Sequence, residues 1–435
     1  MERIFTTEVA SHIGERVRLQ GWLHARRQLG GITFLMLRDG QGMIQAVSEH
    51  EAELAPLREA EAELESIIVL EGEMASVPQA PGGVELHEIK LDVLVAVHEI
   101  TPLTLSKRKL NAQIGSLLDH APIANRYPAR RAIFKLSSTV MNSFRQTLST
   151  RNFVEIQTPK LVGAATESGA NVFKLDYFGR PAYLAQSPQL YKQMMVGVFE
   201  RVFEIGPVFR AEEHDTARHL NQYTSLDLEF GFIENHFTVM ALLREVLANI
   251  FTDLKERCGP ELTMLEAVLP EVPETIPHIH FSEAQELIFR LHKTDVRGEP
   301  DLSPQDERWL GAWAKEKFQS DFLYVTGYPM RKRPFYTHPD PEQPAFSNSF
   351  DLLFRGTELV TGGQRLHRYQ EYLQALELAH IASEPFEAYL QAFRYGMPPH
   401  GGLAIGLERL IMQLTGISNV RLAALFPRDI HRLTP

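Results

Sequence analysis

Three sets of charged side chains in this sequence could act together on a phosphate and a carboxylate. Arg210, in the run Phe209-Arg210-Ala211-Glu212, carries a planar guanidinium fork suited to bidentate contact with an oxyanion. Lys192 and Arg365, the latter in Gly362-Gly363-Gln364-Arg365, offer two cations for a carboxylate pocket. Asp351 and Glu358 flank an Arg355-Gly356 turn, with Thr361 just beyond; such hard oxygen ligands suit a magnesium ion that bridges phosphates. The spacing of Glu358 and Thr361 puts them on opposite faces of a straight strand, so sharing an ion requires a bulge or a bridging water. Positioned cations and charge neutralisation are what phosphoryl transfer asks of a protein. Gly401, Gly402 and Gly406 would let backbone approach a nucleotide. Each feature also has a plainer reading: Arg210 bridged to Glu212 or Asp227, Lys192 as a surface helix lysine, the glycines as tight packing. His214 and His219 could suggest zinc, but the sequence has neither a His-Glu-x-x-His pattern nor a cysteine cluster to support it.

The composition must supply a scaffold for these groups. With 435 residues, 44% of them hydrophobic and 23% charged, the chain is core-forming, with two or three domains expected and disorder excluded as its main state. No apolar run approaches the ~18 residues of a membrane helix, and Met1-Glu2-Arg3 does not open a signal peptide. The single cysteine, Cys258, can form no internal disulfide. A cytoplasmic protein without membrane association is expected. The net charge of −11 argues against a chain that coats nucleic acid, but the charge is segregated. Residues 16–38 hold Arg16, Arg18, Arg26, Arg27 and Arg38 and no acid, whereas residues 51–73 hold eight glutamates and one arginine. A local basic face is compatible with an acidic whole.

Over the first ~100 residues, Arg16–Trp22, Ile32–Leu37, Met43–Val47, Ile67–Glu71 and Val84–Ala96 read as short strands punctuated by Gly30-Gly31, Asp39-Gly40 and Pro78 to Gly83. Glu51–Glu65, rich in Ala, Glu and Leu, reads as a helix. Five strands with a helix after the third is the order of an OB-fold barrel, a platform for single-stranded nucleic acid. The expected division is an OB-fold domain at 1–103, a linker at 104–125 and an α+β domain at 126–435, an antiparallel sheet flanked by helices. In the last, Ile133, Leu136, Val140, Phe144 and Leu148 recur at helical spacing. Phe153–Ile156 reads as a strand stopped at Thr158-Pro159. Arg201–Arg210 and Ser225–Phe230 alternate as strands, with Asp227 and Glu229 on one face, and a long polar loop joins them. Gly401 to Arg409 joins a strand to a helix that Gly416 ends.

A helix leading to a strand that ends at Pro159, the Phe209–Glu212 strand end with its loop, and the Gly401–Arg409 junction together resemble motifs 1, 2 and 3 of the class II aminoacyl-tRNA synthetases. Gln186-Ser187-Pro188-Gln189-Leu190-Tyr191-Lys192-Gln193, the run Phe209–Leu220, Phe393–Arg409, Phe426-Pro427-Arg428-Asp429 and Leu433-Thr434-Pro435 look like the aspartyl enzymes of the compact archaeal type. About 170 residues separate Phe230 from Gly401, too few for the insertion of the bacterial aspartyl enzymes.

The resemblance implies ATP-dependent attachment of L-aspartate to tRNA-Asp through an aspartyl-adenylate, with Mg2+. It implies that Arg210, Glu358 and Arg409 are catalytic. ATP would be held by Arg210, Ala211, Glu212, Arg218, His219, Leu220, Glu358, Gly406, Leu407, Glu408 and Arg409. Aspartate would be held by Glu167, Gln189, Lys192, Arg210, Thr361 and Arg365, with Asp227 as a further contact to its ammonium. Metal would sit at Asp351, Glu358 and Thr361. Phe34 would stack an anticodon base unless it lies in the barrel core, and Arg27 and Gln45 would hydrogen-bond the anticodon. His24 and Pro81 stand where restricted enzymes carry Trp and Lys; this implies that tRNA-Asn is charged too, and that an amidotransferase completes Asn-tRNA. The class implies a homodimer through the helix before Pro159. Other readings are a tRNA-Asp-restricted enzyme, an asparaginyl enzyme (which Lys192 disfavours), a non-catalytic tRNA-binding paralogue, and an ATP-dependent amide ligase.

Overall fold

The computed structural model describes residues 1–107, 109–163, 172–213 and 215–434. They form two compact units, Met1–Tyr127 and Pro128–Pro435.

In the first unit β1 (Arg16–Leu29), β2 (Ile32–Arg38), β3 (Met43–Ser48), β4 (Ile67–Ser76) and β5 (Val84–Val95) close into a barrel of order β1-β2-β3-β5-β4. Alternation dictates the closure: along β2, Thr33, Leu35 and Leu37 are buried, while Phe34 and Met36 are only partly so. Leu19, Leu35, Leu37, Ile68, Leu70 and Leu86 fill the interior. The first strand runs seven residues beyond Trp22, and the register slips between Leu23 and Ala25, so His24 is the extra residue of a bulge. The helix expected over Glu51–Glu65 is shorter: a 3-10 turn Glu51–Leu54 and α1 (Ala55–Glu59). Glu61 and Glu65 then take positive φ of 46° and 72°. Residues 104–125, read from sequence as a linker, carry two short helices. Leu103, Leu105 and Ala124 gather Leu110, Leu117, Ile123 and Tyr127 into a cluster within the first unit, because that many apolar groups gain by leaving water.

The second unit is built on an eight-stranded sheet. Its strands are β6 (Val154–Glu155), β10 (Arg201–Phe209), β11 (Gln222–Gly231), β12 (His278–His280), β13 (Phe322–Thr326), β14 (Ser349–Phe354), β15 (Thr357–Gln364) and β16 (His400–Gly406), in the order β12-β13-β14-β15-β16-β11-β10-β6. All neighbours are antiparallel except β12/β13 and β10/β6. A separate small sheet holds β7 (Leu161–Val162), β8 (Lys174–Tyr177) and β9 (Arg180–Leu184). One face of the large sheet is apolar. Phe203, Leu226, Leu228, Val360, Leu403 and Ile405 pack there against the helices α2 (Pro128–Thr150), α4 (His236–Arg257) and α6 (Leu407–Thr415). Ile133, Leu136, Val140, Phe144 and Leu148 of α2 are all buried in that core. Because side chains alternate along strands, everything between those apolar residues points to the other face. There α3 (Gln189–Phe199) and α5 (Pro304–Phe318) stand over the site.

Candidate active site

The polar face is organised by register. Glu204 pairs with Asp227, Asp227 with Ala404, Ala404 with Thr361, and Thr361 with Asp351. One row therefore crosses five strands at a spacing of about 4.8 Å, with acids at both ends and one inside it. The next row places Glu229 opposite Gly402 and Gly402 opposite Gly363. Gly402 is required: a Cβ there would lie 2.1 Å from the Leu228 carbonyl and 2.2 Å from Glu229 Oε2.

Each acid is matched by a cation from elsewhere in the chain. Lys160 Nζ lies 2.6 Å from Glu204. Lys192 Nζ, from α3, is 2.9 Å from Asp227 Oδ1 and 3.4 Å from Glu229 Oε2, and donates to the Leu228 and Leu403 carbonyls. Its side chain is 1% exposed, so the surface-lysine reading is excluded. Arg365 Nε donates to Glu229 Oε1 at 2.8 Å, and Gln189 joins Arg365 and Glu229 at 3.4 Å. Burial raises the Glu229 carboxyl, but the Arg365 and Lys192 charges more than offset it and hold it ionised. Lys192, Arg365 and Gln189 thus share one pocket with Asp227 and Glu229. Alternation had put Glu229 beside Asp227, but nothing in sequence brought it to Arg365.

A cavity of about 280 Å³ adjoins this pocket, lined by Arg210, Glu212, Arg218, His219, Glu358, Thr361, Gly406, Glu408 and Arg409, among others. β15 carries a bulge, one of the two arrangements that the spacing of Glu358 and Thr361 left open. Leu352 pairs with Val360 but Leu353 with Glu358, so Leu359 is extra and both functional side chains share a face. Thr361 Oγ1 donates to Glu358 Oε1 at 3.2 Å. Arg409 Nη1 donates to the Glu358 carbonyl at 2.9 Å and lies 3.4 Å from its carboxylate. Burial raises the Glu358 carboxyl, and Arg409, Arg333 and Arg210 lower it further than that. Asp351 is pushed up to about 6 by burial, against the opposing pull of Arg333 at 3.2 Å and with the Glu358 charge adding to the rise. Two carboxylates that resist joint ionisation, with a hydroxyl beside them, offer hard oxygen donors and fit a divalent ion such as magnesium. No group of three or more His, Cys, Asp or Glu side chains among the described residues could hold a metal by itself; phosphate oxygens and water would complete the shell.

Three positioning groups here were not legible in sequence. Glu307 of α5 accepts from Arg218 Nη2 at 2.8 Å and from the Glu358 amide at 3.0 Å. Arg333 holds Asp351. Asn221 Nδ2 donates to the Arg210 and Glu212 carbonyls at 2.8 and 3.1 Å, closing the base of the polar loop. Glu307 acts across 89 residues and Arg333 across 18, which no local pattern reports; Asn221 lies 11 and 9 residues from its partners, but nothing in its type points to them. Of the expected nucleotide residues, Leu407 turns its side chain into the apolar core, as its place at the start of an amphipathic helix requires. Leu220 is buried against Met412 and Val420 at the cavity wall. Ala211 is half-buried and does not line the cavity. Glu167 and His214 lie outside the described residues.

On the barrel, Phe34 faces outward, directly opposite the exposed Arg27, and not into the core. Gln45 pairs with Met36 in register and donates to Glu85 Oε1 at 2.5 Å. An aromatic ring with a guanidinium and an amide nearby is a stacking platform. His24 is not brought to this face: it is buried on its bulge, with Nδ1 3.6 Å from Glu65 Oε1. Pro81 is exposed in the turn Pro81–Gly83.

Comparison with known proteins agrees with this geometry. The family described as tRNA synthetases class II (D, K and N) matches residues 117–430, and the OB-fold nucleic acid binding domain matches residues 17–94. The chain is 46% identical over 440 residues to the Aspartate--tRNA(Asp/Asn) ligase of Deinococcus radiodurans, covering 100% of this chain and 99% of that one. It is 45% identical over 436 residues to the protein of that name from Thermus thermophilus, covering 100% of both. The asparaginyl-tRNA synthetase of Pyrococcus horikoshii, solved with asparaginyl-adenylate, superposes with a TM-score of 0.91 at 31% identity over 100% of both chains.

Proposed function

The chain belongs to the class II aminoacyl-tRNA synthetases, and from that premise we propose that it attaches L-aspartate to tRNA-Asp, and also to tRNA-Asn, through an aspartyl-adenylate. The single observation that carries the choice of amino acid is the buried Lys192–Arg365 pair. Two buried cations on one polar face, each already held in place, favour a side-chain carboxylate over a neutral amide. The similarity to an asparaginyl enzyme supports a second reading, against which the Lys192 charge stands.

In the proposed reaction the substrate α-carboxylate attacks the α-phosphorus in line and pyrophosphate leaves. Arg210 bridges the attacking carboxylate and the α-phosphate. Arg218, His219 and Arg409 take the outer phosphates, and Asp227, with Gln189, faces the substrate ammonium. Glu358, Thr361 and Asp351 would hold Mg2+, which neutralises phosphate charge when bound. Binding of these charges to preformed, mutually paired partners lowers the reorganisation needed at the transition state.

On the barrel, Phe34 would stack an anticodon base with Arg27 and Gln45 bonding beside it. The names of the two curated relatives support relaxed tRNA choice. Since His24 is buried, it would act through the shape of the β1 bulge and not by direct contact. Aspartate on tRNA-Asn calls for an amidotransferase as downstream partner. A homodimer is proposed through α2 and β6, because β6 is an edge strand and both Val154 and Glu155 are exposed. No helix among the described residues is long and apolar enough to cross a membrane, consistent with work in the cytoplasm.

The test is ATP–pyrophosphate exchange with aspartate, asparagine and lysine in parallel. Exchange that only aspartate stimulates is expected; stimulation by asparagine in its place would overturn the assignment.

A further inference from the structure

Behind the carboxylate pocket lies a polar cluster in an otherwise apolar layer. Gln193, Tyr372, Tyr389 and His400 are each at most 3% exposed. The hydroxyls of Tyr372 and Tyr389 lie 3.0 and 2.8 Å from Gln193 Oε1 and 2.9 Å from each other, and His400 Nε2 is 3.3 Å from the same amide oxygen. Tyr372 also reaches the Leu366 carbonyl at 2.9 Å, and His400 Nδ1 reaches the Pro398 carbonyl at 2.9 Å.

The hydrogen-bond roles can be assigned by elimination. A carbonyl only accepts, so Tyr372 spends its one hydroxyl proton on Leu366 and His400 carries its proton on Nδ1. Burial keeps that ring neutral, with its protonation pushed down to about 4, and leaves Nε2 an acceptor. Tyr372 oxygen and His400 Nε2 therefore both need a donor from Gln193. With Oε1 facing them, Gln193 Nε2 is buried without a partner. A half-turn of the amide resolves both conflicts: its two N–H groups face the acceptors, and Tyr389 donates to Tyr372. The two tyrosines and the histidine are then all paired, and bonds linked in this way stiffen their surroundings; the Gln193 amide oxygen takes the place at which no partner stands.

Both substrate cations hang from this cluster. Gln193 follows Lys192 on α3. The Arg365 amide donates to the His400 carbonyl at 2.9 Å, and Leu366, the next residue, is the carbonyl that Tyr372 holds. We infer that Gln193, Tyr372, Tyr389 and His400 are positioning residues that fix Lys192 and Arg365 at the separation a carboxylate side chain needs. The inference rests on the reading of Lys192 and Arg365 as the aspartate-binding pair. None of the four lines the nucleotide cavity, so their influence should be confined to the amino acid.

The experiment uses the full-length chain with Tyr372→Phe and, separately, Tyr389→Phe, and measures KM for aspartate and for ATP in pyrophosphate exchange beside a thermal melt. Tyr372→Phe strands the Leu366 carbonyl and should raise the aspartate KM about tenfold, with the ATP KM within about twofold. Tyr389→Phe removes one link and should raise the aspartate KM by about threefold, so it decides the matter should the first variant not fold. An unchanged aspartate KM, or equal rises for aspartate and ATP, would overturn the inference. Lack of aspartate-dependent exchange in the unaltered chain would instead remove the underlying reading, and this inference with it.

Discussion

At the scale of single residues, the site is a set of ion pairs that are complete before substrate arrives. Lys192, Arg365 and Arg333 each meet a carboxylate within 3.2 Å. Glu408 is the exception. Both of its oxygens accept from the Thr224 amide at 3.0 Å, and burial pushes its carboxyl up to about 7. The folded chain therefore holds this proton when the unfolded chain has lost it, and between about pH 4.5 and 7 stability falls as pH rises. Glu408→Gln keeps an acceptor for Thr224 and removes the charge. Its unfolding free energy should match the parent near pH 4.5 and exceed it near pH 8, by roughly 3 kcal/mol at most. An equal difference at both pH values would show that the charge is not the cause. Sequence made the cations visible by type: Arg210, Lys192 and Arg365 were candidates before any fold was known. Glu307 and Asn221 were not, since a lone Glu or Asn carries no sign of its partner until the chain has folded.

At the scale of elements, a bulge in β15 sets which side chains share the site. Without the bulge at Leu359, Glu358 and Thr361 would lie on opposite faces of β15, as strand geometry requires. Deleting Leu359 leaves Glu358 two positions from Thr361 in an unbroken ladder, on the same face, and should keep exchange activity within about tenfold of the parent, whereas Glu358→Ala should lower it by at least about a hundredfold. A deletion variant as inactive as Glu358→Ala would show that the bulge does more than put the two side chains on one face. That a bulge or a bridging water was needed was legible from spacing alone, but which of the two, and where, was not, because ladder register depends on β14. The same limit applies to His24: the resemblance implied an anticodon contact, whereas the slip between Leu23 and Ala25 buries it beside Glu65. Helix α2 was legible throughout, because five apolar residues at helical spacing admit one face.

At the scale of the whole molecule, two units divide the work between the tRNA and the adenylate. Phe34 lies in the first unit and outside its core, so Phe34→Ala should remove stacking without harm to the barrel. The KM for tRNA should rise about ten- to a hundredfold, in line with ~1–3 kcal/mol per stacked base, while aspartate-dependent exchange without tRNA keeps its rate. Loss of both together would show a structural role for the ring. The order of strands and the three motifs were readable from sequence because they are local; the apolar content of residues 104–125, which draws them into the first unit, was visible but its destination was not. The most direct test of the account is aspartate attachment to separate tRNA-Asp and tRNA-Asn transcripts under one set of conditions. Comparable charging of both is predicted, whereas charging of neither would contradict the account at its centre.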